Sequence, residues 1–288
     1  MVFIIIVIII ILLLIIINNK KQHFKEKHKK LAFCFMIYDK INHEELWYNF
    51  FKNIEKSKYS IYIHHKTDEP LKYFEDYKLK NTIDTNWCDE SLVKAQNLLL
   101  QEAVKDKDNT NFIFVSGSCV PLKSFKHIYN NLKLGKSYFN KADVDFNFNN
   151  FDKGIRLYKA SQWCILNKKH TMKILENKKL INNIITSLGK IHQNYCPDEY
   201  VYLSLLYFLN LKNELIETPN LSTDATTFTG WHNMSNYKNF RKSKKQGYPN
   251  NYSYICPEEL AFIASSKSFF GRKFDNDCKG LDKLKKIF

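Results

Sequence analysis

Two short segments of the 288-residue chain set charged side chains where they could act on a substrate. Pro197-Asp198-Glu199 puts two carboxylates in the first turn of a strongly apolar helix read over Glu199 to Leu209, where the helix dipole favours negative charge. Ordinary N-terminal capping accounts for such a pair. So does a general base, because a carboxylate at a cleft mouth can take a proton from a hydroxyl nucleophile, and partial burial raises its pKa toward the working range. Ser268-Phe-Phe-Gly271-Arg272-Lys273-Phe274 sets two cations beside a glycine and between aromatics. That cluster can grip phosphate oxygens, or it is one more basic turn in a lysine-rich chain. Spacing leaves both open.

A third segment runs from Phe112 to Val115 into Ser116-Gly117-Ser118-Cys119-Val-Pro121, the form of a strand ending in small residues. The loop after such a strand falls at the carboxyl edge of a sheet, where open α/β folds bind ligands, and Gly117 allows close backbone approach. Metal-ligand patterns are weaker. Asp143-Val-Asp145 formally fits an Asp-x-Asp pair of hard oxygen ligands holding Mg²⁺ or Mn²⁺ against a diphosphate, but it falls in the Asn-rich stretch Gly135 to Asp152, read as a loop. The adjacent His64 and His65 on an extended segment point to opposite faces. Seven cysteines are widely spread with no CxxC, so no zinc site is expected. A core of this size does not need disulfide staples, and pairing stays open.

The elements that must position these groups alternate between strand and helix. Leu31 to Tyr38 and Tyr59 to His64 read as buried strands around a helical stretch near His43 to Lys56, a βαβ start. Ser91 to Val104 carries apolar residues at helical spacing behind Asp89 and Ser91 as candidate caps, and runs into the strand Phe112 to Val115. Leu122 to Leu134 and Lys169 to Glu176 read as helices and Gln162 to Leu166 as a strand. The alternation points to one α/β domain.

Several of these segments also form an ordered set. Trp87 with Ser91-Leu-Val-Lys-Ala95, Phe114 to Leu122 (FVSGSCVPL), Lys159-Ala-Ser-Gln-Trp163 with Leu166, Pro197-Asp198-Glu199, Trp231 and Phe270-Gly-Arg-Lys-Phe274 follow one another. In this order and spacing they resemble the core-2/I-branching β-1,6-N-acetylglucosaminyltransferase family, glycosyltransferase family 14. The SGSC-P-L and K-x-S-Q-W forms are most similar to its plant-type branch, and the resemblance covers about Ala32 to Phe274.

The resemblance implies a GT-A-like, single Rossmann-like α/β domain. It would move a sugar, GlcNAc or a related one, from a UDP-sugar to a hydroxyl of a glycan or glycoprotein acceptor with inversion. No cofactor and no metal are expected, because basic side chains near the C-terminus offset the leaving diphosphate. By motif match Glu199 would be the base, and Lys273 with Arg272 would face the diphosphate. Ser116, Gly117, Ser118, Cys119 and His64 would line the donor cleft, while Trp163, Trp231, Lys159 and Asp198 would meet the sugars. The chain departs from the family in two places. A second basic residue of animal members falls near Asn250, leaving Arg241, Lys245 or Arg272 to substitute, and the acid expected after the second strand is matched only by His64.

Charge and hydropathy bound the remaining readings. The net charge is +15, yet the only arginines are Arg156, Arg241 and Arg272. The abundant Lys, Asn, Ile, Phe and Tyr share A/T-rich codons, as in a large DNA virus or a protist, so the charge reads as a solvated lysine surface. A membrane-tethered nucleic-acid-binding protein is the rival from another class, but no RNP, helix-turn-helix or zinc-finger pattern occurs, and no nucleic-acid partner is expected. A non-catalytic glycan-binding relative is the other alternative.

Residues 1–17 are an unbroken apolar run at the short end of a bilayer span, with no charged n-region or small-residue cleavage site. They read as an uncleaved single-pass anchor, residues 18–30 as a basic stem and residues 31–288 as the transferase domain. The stem lysines place the domain in the cytoplasm by the positive-inside rule, whereas a Golgi- or ER-type type II enzyme is lumenal. Three sequons, at Asn220, Asn233 and Asn251, are as many as chance gives in so Asn-rich a chain.

Overall fold

Strand β1 (Lys30–Ile37) is buried along nearly its whole length, as an uninterrupted apolar run is when both faces of a parallel sheet are covered. It pairs in parallel with β2 (Tyr59–His65) on one side and with β3 (Asn109–Ser116) on the other, Phe33 lying between Ile61 and Ile113. The chain therefore leaves β1 in one direction and returns to its opposite side. That reversal opens a crevice at the carboxyl ends of the strands. The computed structural model describes residues 7–16, 29–146, 156–191, 195–219, 225–231 and 248–287.

The remaining strands are β4 (Val120–Pro121), β5 (Ser137–Phe146), β6 (Leu157–Ala160), β7 (Ile165–Asn167), β8 (Leu215–Pro219), β9 (Thr227–Thr229), β10 (Tyr252–Tyr254), β11 (Phe270–Arg272) and β12 (Phe274–Lys279). The main sheet runs β2-β1-β3-β7-β5-β6, with β8 paired in parallel to β5. β7, β5 and β6 join it antiparallel. A small sheet, β4-β11-β9, sits beside it. The expected α/β class with a central sheet is thus observed.

One face of the sheet is covered by an aromatic cluster. Phe33 meets Trp47, Phe51 and Phe270 edge-on at ring-centroid distances of 6.2, 4.9 and 6.4 Å. Trp47, from the helix Glu44–Phe51, is fully buried. The opposite face packs against the helix Glu90–Ala103, whose N-terminus is capped by Asp89 accepting from the Ser91 N–H at 2.8 Å.

Several expectations change. The stretch read as a polar loop over Gly135 to Asp152 is in its first part the ten-residue strand β5. Its polar side chains are met inside the fold: buried Asn140 accepts through Oδ1 from the Thr226 N–H at 2.8 Å and from the Thr226 and Thr218 hydroxyls at 3.0 and 3.2 Å. Tertiary pairing overrides local propensity there. Asp143 and Asp145 lie on this strand, their side chains outside the described residues.

The helix read from Glu199 divides. Pro197–Glu199 is a 3₁₀ turn, Tyr200 leaves helical geometry at φ −122°, and the helix is Val201–Phe208. Asp198 and Glu199 therefore precede the helix instead of occupying its first turn. The helix read over Leu122 to Leu134 shrinks to Phe125–Asn131, because Val120–Pro121 is drawn into β4. A fourteen-residue helix, Lys178–Ile191, has no counterpart in the sequence reading.

Of the apolar run at residues 1–17, residues 7–16 are helical and exposed. Among the described residues no helix is long and apolar enough to cross a membrane. The rest of that run and most of the stem lie outside the described residues. Lys29 and Lys30, assigned to the stem, belong to the domain: buried Lys29 donates to the Tyr129 and Leu132 carbonyls, and Lys30 pairs with Asp106 at 2.7 Å.

Candidate functional site

A cleft of about 780 Å³ opens at the carboxyl edge of β1 and β2. Its floor is Met36 to Tyr38 with His64. Trp87, Lys159, Trp163, Asp198, Glu199, Trp231, Arg272 and Lys273 form its walls. The fold thus brings together, in one crevice, Glu199 of the acidic segment and Arg272 of the basic segment, more than seventy residues apart in sequence.

Three devices position the acidic turn. Cys196, just before it, is disulfide-bonded to Cys88 across 108 residues of sequence, and both cysteines line the cleft. Lys159, from the end of β6, pairs with Glu199 at 3.0 Å. Tyr200, just after the turn, packs edge-on against Tyr195 at 5.4 Å.

The two carboxylates are treated differently. Glu199 is partly open to solvent beside its lysine. Asp198 is 6% exposed, and its Oδ1 has no hydrogen-bond partner among the described residues. Burial first, and the Glu199 charge second, push the Asp198 carboxyl up to about 7 against the pull of Lys159 and Arg272.

The basic segment is held by packing. Phe270 stacks on Trp47 at 5.9 Å, and β11 is paired on both sides, to β4 and to β9. A methyl group on Gly271 would come within 3.2 Å of Leu122 and 3.3 Å of Phe274, so a larger residue there would push on the packing that sets Arg272 and Lys273. The Arg272 guanidinium lies 4.9 Å over the Trp163 ring, and its buried Nε has no partner among the described residues. Burial, then the neighbouring Arg272 charge, lowers Lys273 to about 8. The pair forms a half-buried concentration of positive charge, suited to an anion that brings its own compensation.

The expected donor-cleft residues divide into two groups. His64 lines the cleft, but it is 1% exposed and its Nε2 accepts the Ile83 N–H at 3.1 Å, so it fastens the loop that carries Trp87. Ser116, Gly117, Ser118 and Cys119 do not line the cleft. They form a hub behind it. The Gly117 carbonyl accepts from Asn42 N–H at 2.8 Å, Ser118 O from Phe274 N–H at 3.0 Å, and Cys119 O from the Trp47 indole at 2.9 Å. A Cβ on Gly117 would sit 2.3 Å from the Lys40 carbonyl oxygen, so glycine serves close backbone packing there and not a ligand. This hub reaches the residue after Lys273, which makes it a support for the basic pair.

Trp163 is also a support: it is 5% exposed and a face of its ring carries Arg272. Trp231 lines the cleft with its buried indole N–H lacking a partner among the described residues. Sequence reasoning did not find the Cys88–Cys196 bond, nor Tyr38 and Lys66 on the cleft wall. The adjacency of Cys88 to Trp87 and of Cys196 to Pro197 was the available signal. Among the described residues no group of three or more His, Cys, Asp or Glu side chains gathers as a metal site.

Comparison with known proteins bears on this crevice. Residues 31–147 match the family model of the core-2/I-branching enzymes. Glycosyltransferase BC10 of Oryza sativa subsp. japonica is 26% identical over 220 residues, a match covering 65% of this chain and 55% of the rice protein. The chain thus spans little more than half the length of that curated relative. The crystal structure of a glycosyltransferase involved in the glycosylation of the major capsid of PBCV-1 aligns over 89% of this chain and 97% of its own, with 8% identity and a TM-score of 0.43. Residues 31–147, which include the strands that build the floor of the cleft and the Trp87 loop, are thus the part of the chain that matches the core-2/I-branching enzyme model, and a curated glycosyltransferase shares 26% identity with the chain over 220 residues.

Proposed function

We propose that the protein transfers a sugar from a UDP-sugar to a hydroxyl of a glycan acceptor, with inversion and without a metal ion, on a GT-A-like fold. The observation that carries this reading is the meeting of Glu199 with Arg272 and Lys273 in one cleft. A single displacement at an anomeric carbon needs one base for the attacking hydroxyl and one stabilised leaving group. Glu199 takes the acceptor proton, and Lys159 at 3.0 Å fixes the direction of its carboxylate. Lys273 and Arg272 face the diphosphate, whose negative charge grows as the glycosidic bond breaks, so they stabilise the transition state more than the ground state. The Asp198 Oδ1 and the Trp231 N–H, both without partners among the described residues, are free to read sugar hydroxyls.

The disulfide at the cleft favours an oxidising compartment for the domain, which supports a lumenal or extracellular side. Thiol labelling of the unreduced protein should leave Cys88 and Cys196 unmodified, and labelling of both would remove that support.

The decisive assay is a panel of UDP-sugars scored for UDP release with and without EDTA. Turnover that survives the chelator, and falls strongly in Lys273→Ala while Lys279→Ala leaves it near wild type, supports the reading. Complete loss with EDTA, restored by Mn²⁺, would return the diphosphate to Asp143 and Asp145 on β5.

A further inference from the structure

Trp87 is the most exposed large hydrophobic side chain among the described residues, at 79%, and it stands on the wall of the cleft. An indole carries more buriable apolar surface than any other side chain, so leaving one in water forgoes stabilisation that folding would ordinarily take. Its loop is too well fastened for this to be slack. Ile83 N–H is held by His64 Nε2 at 3.1 Å, the Thr85 carbonyl accepts from Lys66 Nζ at 2.5 Å, and Asn86 N–H donates to the Ser91 hydroxyl at 2.9 Å. On the other side Cys88 is bonded to Cys196, their Cα atoms 4.1 Å apart. Cys196 leads directly into Pro197–Glu199. The exposed indole and the turn bearing the candidate base are thus joined through one covalent link.

We propose that Trp87 is a stacking platform for an outer pyranose ring of the acceptor, so that the enzyme takes an oligosaccharide in preference to a monosaccharide. The inference rests on the glycosyl-transfer reading above and names its acceptor class. A pyranose presents a face of C–H groups with its hydroxyls around the rim, and a flat indole covers that face without competing for the hydroxyls. The polar atoms of the cleft that lack partners among the described residues, Asp198 Oδ1, Gln162 Oε1 and Trp231 Nε1, lie among buried groups where an inner ring would present hydroxyls. Trp87 instead offers the broad face of its ring, at the exposed rim. Because the disulfide ties Trp87 to the acidic turn, a ring stacked there holds the rest of the acceptor in fixed register with Glu199. The basic pair that faces a diphosphate belongs to a different element, β11 and the residue after it.

The test is binding, read without turnover. The full chain, labelled with ¹⁵N at its indoles, is titrated separately with UDP, with monosaccharides, and with cellotetraose, tetraacetylchitotetraose and a β1,3-linked galactotetraose. The Trp87 resonance is the one lost in Trp87→Phe. It should move with at least one tetrasaccharide and with neither UDP nor monosaccharides. Trp87→Ala should weaken that tetrasaccharide roughly 10-fold, about 1.4 kcal/mol, while UDP affinity stays within about twofold and Trp87→Phe recovers part of the loss. Movement with UDP would assign Trp87 to the nucleobase and overturn the proposal, as would no movement with any tetrasaccharide, or equal tetrasaccharide affinity in Trp87→Ala and wild type. Binding through Trp87 in a chain that releases no UDP would keep the platform and reject the transferase reading, so the two fail separately.

Discussion

Trp47 and Trp231 carry the same indole N–H into two regions that treat it in opposite ways. Trp47, fully buried beneath the parallel strands, packs edge-on against Phe35 at 4.9 Å and donates to the Cys119 carbonyl at 2.9 Å. Trp231, on the cleft wall, buries its N–H with no acceptor among the described residues, and the same holds for Asp198 Oδ1, Gln162 Oε1 and Arg272 Nε around it. Leaving a buried polar atom unmet costs about 1–3 kcal/mol. The packed face contributes the stability, and the cleft holds back hydrogen bonds that a substrate can complete. Phe270 joins the two regions: it stacks on Trp47 and leads through Gly271 to Arg272 and Lys273, so the rigidity of one region sets the geometry of the other.

If that division holds, changes on the two sides should separate stability from turnover. The largest effect is expected for Trp47→Ala, which removes a fully buried ring and the donor to Cys119. It should destabilise the fold by about 3–5 kcal/mol in denaturant unfolding. A loss below about 1 kcal/mol would mean the aromatic cluster is not what holds the sheet.

Glu199→Gln is the mirror experiment. It keeps the shape but cannot accept a proton, so turnover should fall roughly 10²-fold while UDP affinity and thermal stability stay close to wild type. Near-normal turnover would remove Glu199 from the base role and direct attention to Asp198.

Asp198→Asn sharpens the contrast through pH. The Asp198 carboxyl is held up to about 7 in the folded protein, against about 3.9 in an unfolded chain. Between those values the folded state keeps a proton that the unfolded state has released, so the wild type loses stability as pH rises from about 4 to about 7. The Asn variant lacks that slope and should gain on wild type by of order 2 kcal/mol at pH 8 relative to pH 4. Parallel stability curves for the two proteins would show that Asp198 is solvated.

The smallest effect concerns Lys273. Its free-enzyme pKa is lowered to about 8, and only the ammonium form offsets a diphosphate. The value of kcat/KM for the donor should therefore decline above about pH 8. In Lys273→Arg, which recovers only part of the rate because a fork replaces a compact ammonium, that alkaline limb should move beyond the accessible range. A limb that stays at the same pH in the variant would belong to another group.

Local pattern carried much of the framework. β1, β2, β3 and the helix Glu90–Ala103 were legible because an apolar run or a 3.6-residue repeat reports burial without reference to distant residues. The candidate base and the basic pair were legible as residue types, although the roles assigned to them came from a family resemblance. β5 was not legible. Its polar residues look like loop until Thr218 and Thr226 arrive from more than seventy residues away to satisfy Asn140. The support role of Gly117 is of the same kind, since a backbone carbonyl at Lys40 excludes any side chain there and no sequence window contains both contacts.

What belongs to the chain as a string of residues is therefore its α/β alternation and its stock of one acidic and one basic segment. The side on which each charge is buried, and by how much, comes from the packed molecule. Asp198 and Glu199 are adjacent in sequence, yet one is enclosed with its Oδ1 unpartnered among the described residues and the other pairs with Lys159. Burial and the nearness of other charges are properties of three-dimensional neighbours, and those neighbours set how Asp198 holds its proton.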